Sequence, residues 1–257
     1  MRLARFPMTR MPDGRAMANV GCGYRTRAGW TNIDFSWYAR LAHRPGLSRV
    51  LHHLGVLSQD RDERLQGVDP AIVVADLRRG IPFPDNAFDV VYSSHFVEHL
   101  ERGHAAAHLR EQYRVLKPGG VVRVVVPDLR LLVERCRESA TALDGGDPTR
   151  LSDHLASIHA LLGHMVQRES FGTTQQRRWV RRLERVVRGG AARTGDLHLW
   201  MYDRYSLAAL LSDLGFQKIS VETPTSSRIE GWSRFHLDTE EDGTVYKRLS
   251  LYMEAVK

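Results

Sequence analysis

The chain of 257 residues is long enough for one large α/β domain or two small ones, and 42% hydrophobic with 26% charged residues is ordinary globular composition. Its net charge of +7 invites a nucleic-acid reading, but lysine occurs only at 117, 218, 247 and 257, so the basicity is nearly all arginine, as codon bias in a G+C-rich genome produces. No apolar run reaches the ~18 residues of a membrane span, the basic N-terminus lacks a signal peptide's apolar core, and Cys22 and Cys136 alone make no disulfide framework, so a reducing cytoplasm is expected.

From residue 16 to 126 short apolar runs alternate with helical patterns, as in a parallel α/β sheet. "AMANVG" reads as a first strand and "TNIDF" as a second. "AIVVAD", 71 to 76, is a third, and "FDVVYSS", 88 to 94, a fourth. A helix is expected from about 96 to 115, stopped by "LKPGG", because proline and two glycines do not continue a helix. "VVRVVVPD", 121 to 128, is the fifth strand. Residues 129 to 190 then carry helical patterns and no strand candidate, which predicts a helical insertion or lid over 129–195 within a single domain, 1–257. "SLAALLSDLGF" reads as a helix ending at Gly215, "KISVETP" as a strand and "RLSLYMEAV" as the last strand. The best polynucleotide candidate is "QQRRWVRRLERVVR", 175 to 188, whose Arg177, Arg178, Arg181, Arg182, Arg185 and Arg188 could hold phosphate.

The stretch "ANVGCGYRTRAGWTNIDFS" bears on the ligand. Gly21 and Gly23 follow the first strand, and Asp34 ends the second, 13 residues after Gly21. A dinucleotide fold places its acid about 20 residues on, after a helix whose N-terminus meets the pyrophosphate. The eight residues from Tyr24 to Thr31 leave no room for that helix, and Thr26 stands where a third glycine would be. S-adenosylmethionine has no phosphate. It needs close backbone approach, which glycine permits, a carboxylate for its ribose and a polar residue near its adenine. Asp34 and Asp76, at the carboxyl ends of strands two and three, supply the last two at the edge where open α/β sheets bind ligands.

Together "NVGCG", "GWTNIDFS", "ADLRRGIPFPDNAFDVVYSSHFVEHL", "YRVLKPGGVVRVVVPDL", "HLWMYDRYSLAALLSDLGF" and "SLYMEAVK" resemble class I S-adenosylmethionine-dependent methyltransferases. The resemblance is closest to a bacterial branch with a shortened first helix, associated with polysaccharides and natural products. It implies a doubly wound, Rossmann-like sheet of seven mostly parallel strands with the last antiparallel. It further implies contacts from Gly21 and Gly23 to the methionine part, from Asp34 to the ribose and from Asp76 and Leu77 to the adenine, with Ser93 lining the pocket. Asn19 stands where many relatives have Asp, and the missing helix leaves the methionine end needing cover from elsewhere.

Methyl transfer to a hydroxyl requires alignment and loss of a proton, a task suited to histidine. His95 and His99 follow strand four, and His198 lies where the chain returns from the insertion; His198 is the leading candidate for the base. "HFVEH" matches the zinc pattern H-x-x-E-H, yet it supplies an incomplete ligand set, so no bound metal is expected. The expected function is methylation of a small or medium-sized acceptor at a sugar or natural-product hydroxyl. An RNA methyltransferase and a non-catalytic cofactor-binding module are the alternatives.

Overall fold

The computed structural model describes residues 6–44, 46, 63, 65, 66, 68–164 and 198–257. In chain order it forms β1 (Met17–Val20), β2 (Thr31–Asp34), α1 (Trp37–Ala42), β3 (Val73–Val74), β4 (Phe88–Ser94), α2 (Arg102–Val115), β5 (Leu116–Pro127), α3 (Leu129–Asp144), α4 (Leu151–His164), α5 (Arg204–Asp213), β6 (Gln217–Glu222) and β7 (Ser250–Val256). These strands make one sheet in the order β3-β2-β1-β4-β5-β7-β6. Every pairing is parallel except those of β7, which runs antiparallel between β5 and β6. The winding reverses at β1, which lies between β2 and β4, and the crevice at such a reversal is where these sheets take ligands.

The apolar runs explain the strands. β1 is buried along its whole length, and β5 alternates between two cores. Val122, Val124 and Val126 face a core completed by Ala105 and Leu109 of α2 and by Leu207 and Leu211 of α5. Val125 faces the opposite core, where Met17, Trp30 and Tyr92 meet Trp232, Phe235 and Leu237. This second core is roofed by the long excursion 223–249 between β6 and β7. Arg123, pointing into that side from mid-β5, is fully buried and donates to Asp238 and Glu254 at 2.8 Å each.

Two boundaries differ from the sequence reading. β5 begins at Leu116, five residues before the expected Val121, so "LKPGG" belongs to a strand. A register shift absorbs it: Phe88 opposes Leu116 while Val90 opposes Val121, and Gly119, at φ 78°, donates its N–H to the Lys257 carbonyl. The helix expected over 96–115 is broken. Val97–His99 forms a 3-10 turn, Leu100 is extended at ψ 144°, and the α-helix starts only at Arg102. The expected insertion opens with the α3–α4 hairpin, in which Ser139 Oγ meets His154 Nδ1 at 2.9 Å and Ser157 Oγ at 3.2 Å. Its continuation, including the arginine-rich stretch 175–188, lies outside the described residues. No helix among the described residues is long and apolar enough to cross a membrane.

Candidate active site

The glycine loop caps β1. Gly21, at φ 72°, donates to the Ile33 carbonyl at 2.9 Å, and an added Cβ there would lie 2.6 Å from the Phe96 ring. Gly23, at φ 57°, donates at 2.8 Å to Asp34 Oδ2, while the Ser36 N–H donates to Asp34 Oδ1. The buried Asp34 carboxylate is thus held by one backbone donor on each oxygen, with lone pairs left over for further donors. An added Cβ at Gly23 would meet nothing within 4 Å, so the glycine keeps open space beside the loop.

The short crossover after this loop is tied down by side chains. Asn19 Nδ2 donates to the Arg25 carbonyl at 2.9 Å, and Asn32 both accepts from the Arg27 N–H and donates to the Arg27 carbonyl, each at 3.0 Å. An aspartate at position 19 could not donate that first bond when ionised. Arg25 then reaches the excursion: its guanidinium donates to the carbonyls of His236 (2.7 Å), Leu237 (3.2 Å) and Thr239, and sits 3.6 Å from the centre of the Tyr246 ring. The Tyr24 and Tyr246 hydroxyls meet at 3.1 Å. The cover that the missing helix would have given therefore comes from 223–249.

Between loop and excursion lies a cavity of about 170 Å³ at the carboxyl ends of β1 and β4, lined in part by Gly21, Gly23, Ser94, His95, Tyr246 and Lys247. Ser93 does not line it. It is fully buried on the other face of β4, and alternation along the strand turns Tyr92 and Ser94 toward the cavity instead. Asp76 caps the turn Leu77–Arg79 and is held in a fork by Arg78, at 2.8 Å from Nε and from Nη2, which lowers its pKa. The Leu77 side chain is buried in the main core, leaving only its backbone for a ligand.

The histidines gather around Glu98. His95 follows β4 at φ 50°, a left-handed backbone that turns its ring inward. Its Nδ1 lies 3.1 Å from Glu98 Oε1 and its Nε2 2.9 Å from Ser250 Oγ. Burial holds this imidazole below its ordinary pKa, so the ring is neutral near pH 7. The Glu98 side chain is fully buried, and among the described residues neither oxygen accepts a well-formed hydrogen bond, His95 Nδ1 being its close ion-pair contact. Burial pushes its carboxyl up, but the adjoining His95 and His99 rings outweigh this and hold it at about 2. His99 Nε2 lies 4.0 Å from Glu98 Oε1, and the His99 and His198 rings meet edge-on with centroids 4.8 Å apart. The return from the insertion docks on the same residue: the N–H groups of Leu199 and Trp200 donate to the Glu98 carbonyl at 2.7 and 3.2 Å. Tyr202 follows, its hydroxyl buried without a hydrogen-bond partner among the described residues and its pKa pushed to about 12 by burial and then by Glu98.

The fold therefore brings Gly21, Gly23 and His95 to one cavity, with Asp34 behind the loop and His99 and His198 meeting at the Glu98 carboxylate. It sets Ser93 and the Leu77 side chain away from that space. Sequence reasoning passed over Asn32, Arg25, Tyr246 and Lys247. For Arg25 and Tyr246 the pairing spans more than two hundred residues and leaves no local signal.

Residues 48–124 match the family described as methyltransferase domain, a span that ends within β5 and excludes the glycine loop. No curated protein matches the chain. Among solved structures it is similar to a protein of Thermotoga maritima titled a SAM-dependent methyltransferase and possible histamine N-methyltransferase, at 13% identity and TM-score 0.40, over 98% of this chain and 83% of that one. A S-adenosylmethionine-dependent methyltransferase of Mesorhizobium loti gives 16% identity and TM-score 0.39, over 99% and 93%. One of Archaeoglobus fulgidus gives 14% and 0.39, over 94% and 85%.

Proposed function

We propose that the chain is a class I S-adenosylmethionine-dependent methyltransferase and that it methylates a hydroxyl of a small or medium-sized acceptor, a sugar or natural product, held against the Glu98–His99–His198 cluster. The cavity is smaller than the roughly 300–1,000 Å³ that encloses a drug-sized ligand, which fits one end of the cofactor and leaves the rest along the ends of β2 and β3. The backbone of Gly21 and Gly23 would take the methionine end, where the open space at Gly23 admits it. Asp34, pre-oriented by two backbone donors, would take the ribose hydroxyls. The backbone of Leu77 and the carboxylate of Asp76 would meet the adenine.

S-adenosylmethionine supplies a methyl group on a sulfonium, which is already a good leaving group. The protein's remaining tasks are to align the acceptor oxygen and to promote loss of its proton. The observation that supports the reading is that His99 and His198 meet ring against ring, while His99 and the cavity-lining His95 both approach the same oxygen of Glu98. His95 is committed to Ser250 and packed against Glu98. The excursion pinned by Arg25 walls the cavity from the side through Leu237, Tyr246 and Lys247.

The test is release of S-adenosylhomocysteine across paired acceptors that differ only in hydroxyl, methyl ether or amine. Turnover confined to hydroxyls, and lowered by about 10²–10⁴-fold in His198→Ala with cofactor affinity unchanged, supports the proposal. Turnover of amines alone refutes the oxygen acceptor. Tight cofactor binding with no turnover on any acceptor makes the chain a binding module.

A further inference from the structure

We propose that Glu98, His99 and His198 bind one divalent transition-metal ion of the zinc class, and that this ion holds and acidifies the acceptor hydroxyl. The proposal rests on the methyltransferase reading above and replaces direct proton abstraction by His198. Sequence alone left "HFVEH" short of a ligand set; the fold completes it with a histidine 99 positions away in the chain.

Two independent observations support the site. One donor atom from each of the three residues lies within 4.8 Å of the others. Zinc-to-ligand distances near 2.0–2.2 Å place tetrahedral donors ~3.4 Å apart, so side-chain torsions need close the triangle by at most about 1.4 Å. The second observation is the Glu98 carboxylate, fully buried, with neither oxygen accepting a well-formed hydrogen bond among the described residues and only His95 Nδ1, 3.1 Å from Oε1, in close ion-pair contact. Burying a carboxylate without donors is costly, and the groups that normally offset it are an ion pair or a metal. His95 Nδ1, 3.1 Å from Oε1, is placed to orient the carboxylate from behind, as second-layer groups do around metal ligands.

Position and chemistry agree. The Leu199 and Trp200 N–H groups on the Glu98 carbonyl fix the return segment, and so fix His198 against His99. Two imidazoles and one carboxylate suit zinc, cobalt or manganese better than magnesium or calcium, which prefer all-oxygen sites. Three protein ligands leave a coordination position open, as in catalytic metal sites. An acceptor hydroxyl there would be acidified by the ion and lose its proton to solvent. Its oxygen then takes the methyl carbon as the carbon–sulfur bond breaks and its electron pair stays on sulfur.

The experiment uses the full chain without a polyhistidine tag, dialysed against chelator and titrated with Co²⁺, reading visible ligand-field absorption and calorimetric stoichiometry. One Co²⁺ per chain is expected, displaced by Zn²⁺. His99→Ala and His198→Ala should each weaken Co²⁺ binding by at least ~100-fold, exceeding the 10–100-fold typical of second-layer changes. Glu98→Gln should do the same. His104→Ala, an exposed histidine on the next helix, should bind Co²⁺ like the wild type. Calorimetry with S-adenosylhomocysteine on each metal-free variant shows that it is folded and tests the cofactor reading separately. Substoichiometric Co²⁺ uptake, or uptake unchanged in the His99 and His198 variants, overturns the metal site whether or not cofactor binds.

Discussion

Replacing Asp34 with alanine separates what the carboxylate does for the loop from what it does for the ligand. In the folded protein its two oxygens accept the N–H groups of Gly23, at 2.8 Å, and Ser36. Hydrogen bonds to a charged group contribute about 1.5–3 kcal/mol each, and a buried donor left alone costs about 1–3 kcal/mol. Asp34 is 6% exposed, so water replaces it poorly, and Asp34→Ala should lower folding stability by roughly 1–3 kcal/mol. Binding loses the ribose contacts as well. If those are worth about 1.5–3 kcal/mol together, S-adenosylhomocysteine should bind roughly 10- to 150-fold more weakly. Calorimetry gives the affinity and urea unfolding the stability, both on the same protein. A variant that loses stability yet binds within about 2-fold of the wild type would show that Asp34 only braces the glycine loop, and the ribose assignment would be wrong.

Other expectations follow from the same contacts. Arg25→Ala removes the donor that pins His236, Leu237 and Thr239, so cofactor affinity should fall about 10-fold, the scale of one charged hydrogen bond, with protease cleavage rising in 236–248; unchanged affinity would mean the excursion covers nothing. Arg123→Met strands Asp238 and Glu254 without their shared cation and should cost about 3–5 kcal/mol in urea unfolding; a loss below about 1 kcal/mol would refute the pairing. His108 is fully buried, takes a 2.9 Å contact from Gln112 Nε2 and has its pKa depressed by burial to about 4 from 6.5. Because the unfolded chain protonates first, its contribution is intact above pH 6.5 and is lost as pH falls toward 4, by up to about 3 kcal/mol. A His108→Asn variant should flatten that part of the stability–pH curve, and an equal slope in both proteins would contradict the burial argument.

The parallel strands were legible because short apolar cores such as "VVY" in "FDVVYSS" are explained by burial on both faces of the sheet. That Gly21 and Gly23 form a turn at positive φ and that Asp34 ends β2 was legible, because glycines after an apolar run and a strand-end carboxylate leave local marks. Ser93 was not: a strand's faces alternate, so one residue separates the cavity-facing Ser94 from the buried Ser93, and composition does not say which. The break after β4 was hidden because His95 adopts a left-handed backbone that its residue type does not announce. The cover over the short crossover and the meeting of His99 with His198 are tertiary facts. They depend on Arg25 finding carbonyls beyond residue 235, and on Leu199 and Trp200 finding the Glu98 carbonyl.

The most direct measurement is a crystal structure of the complex with S-adenosylhomocysteine. The ribose hydroxyls should lie on Asp34, the amino-acid end against Gly21 and Gly23, and the thioether sulfur should open toward His99 and His198 from the cavity beside Ser94. A ligand seated away from this strand-end crevice, or a sulfur turned from the two histidines, would contradict this placement.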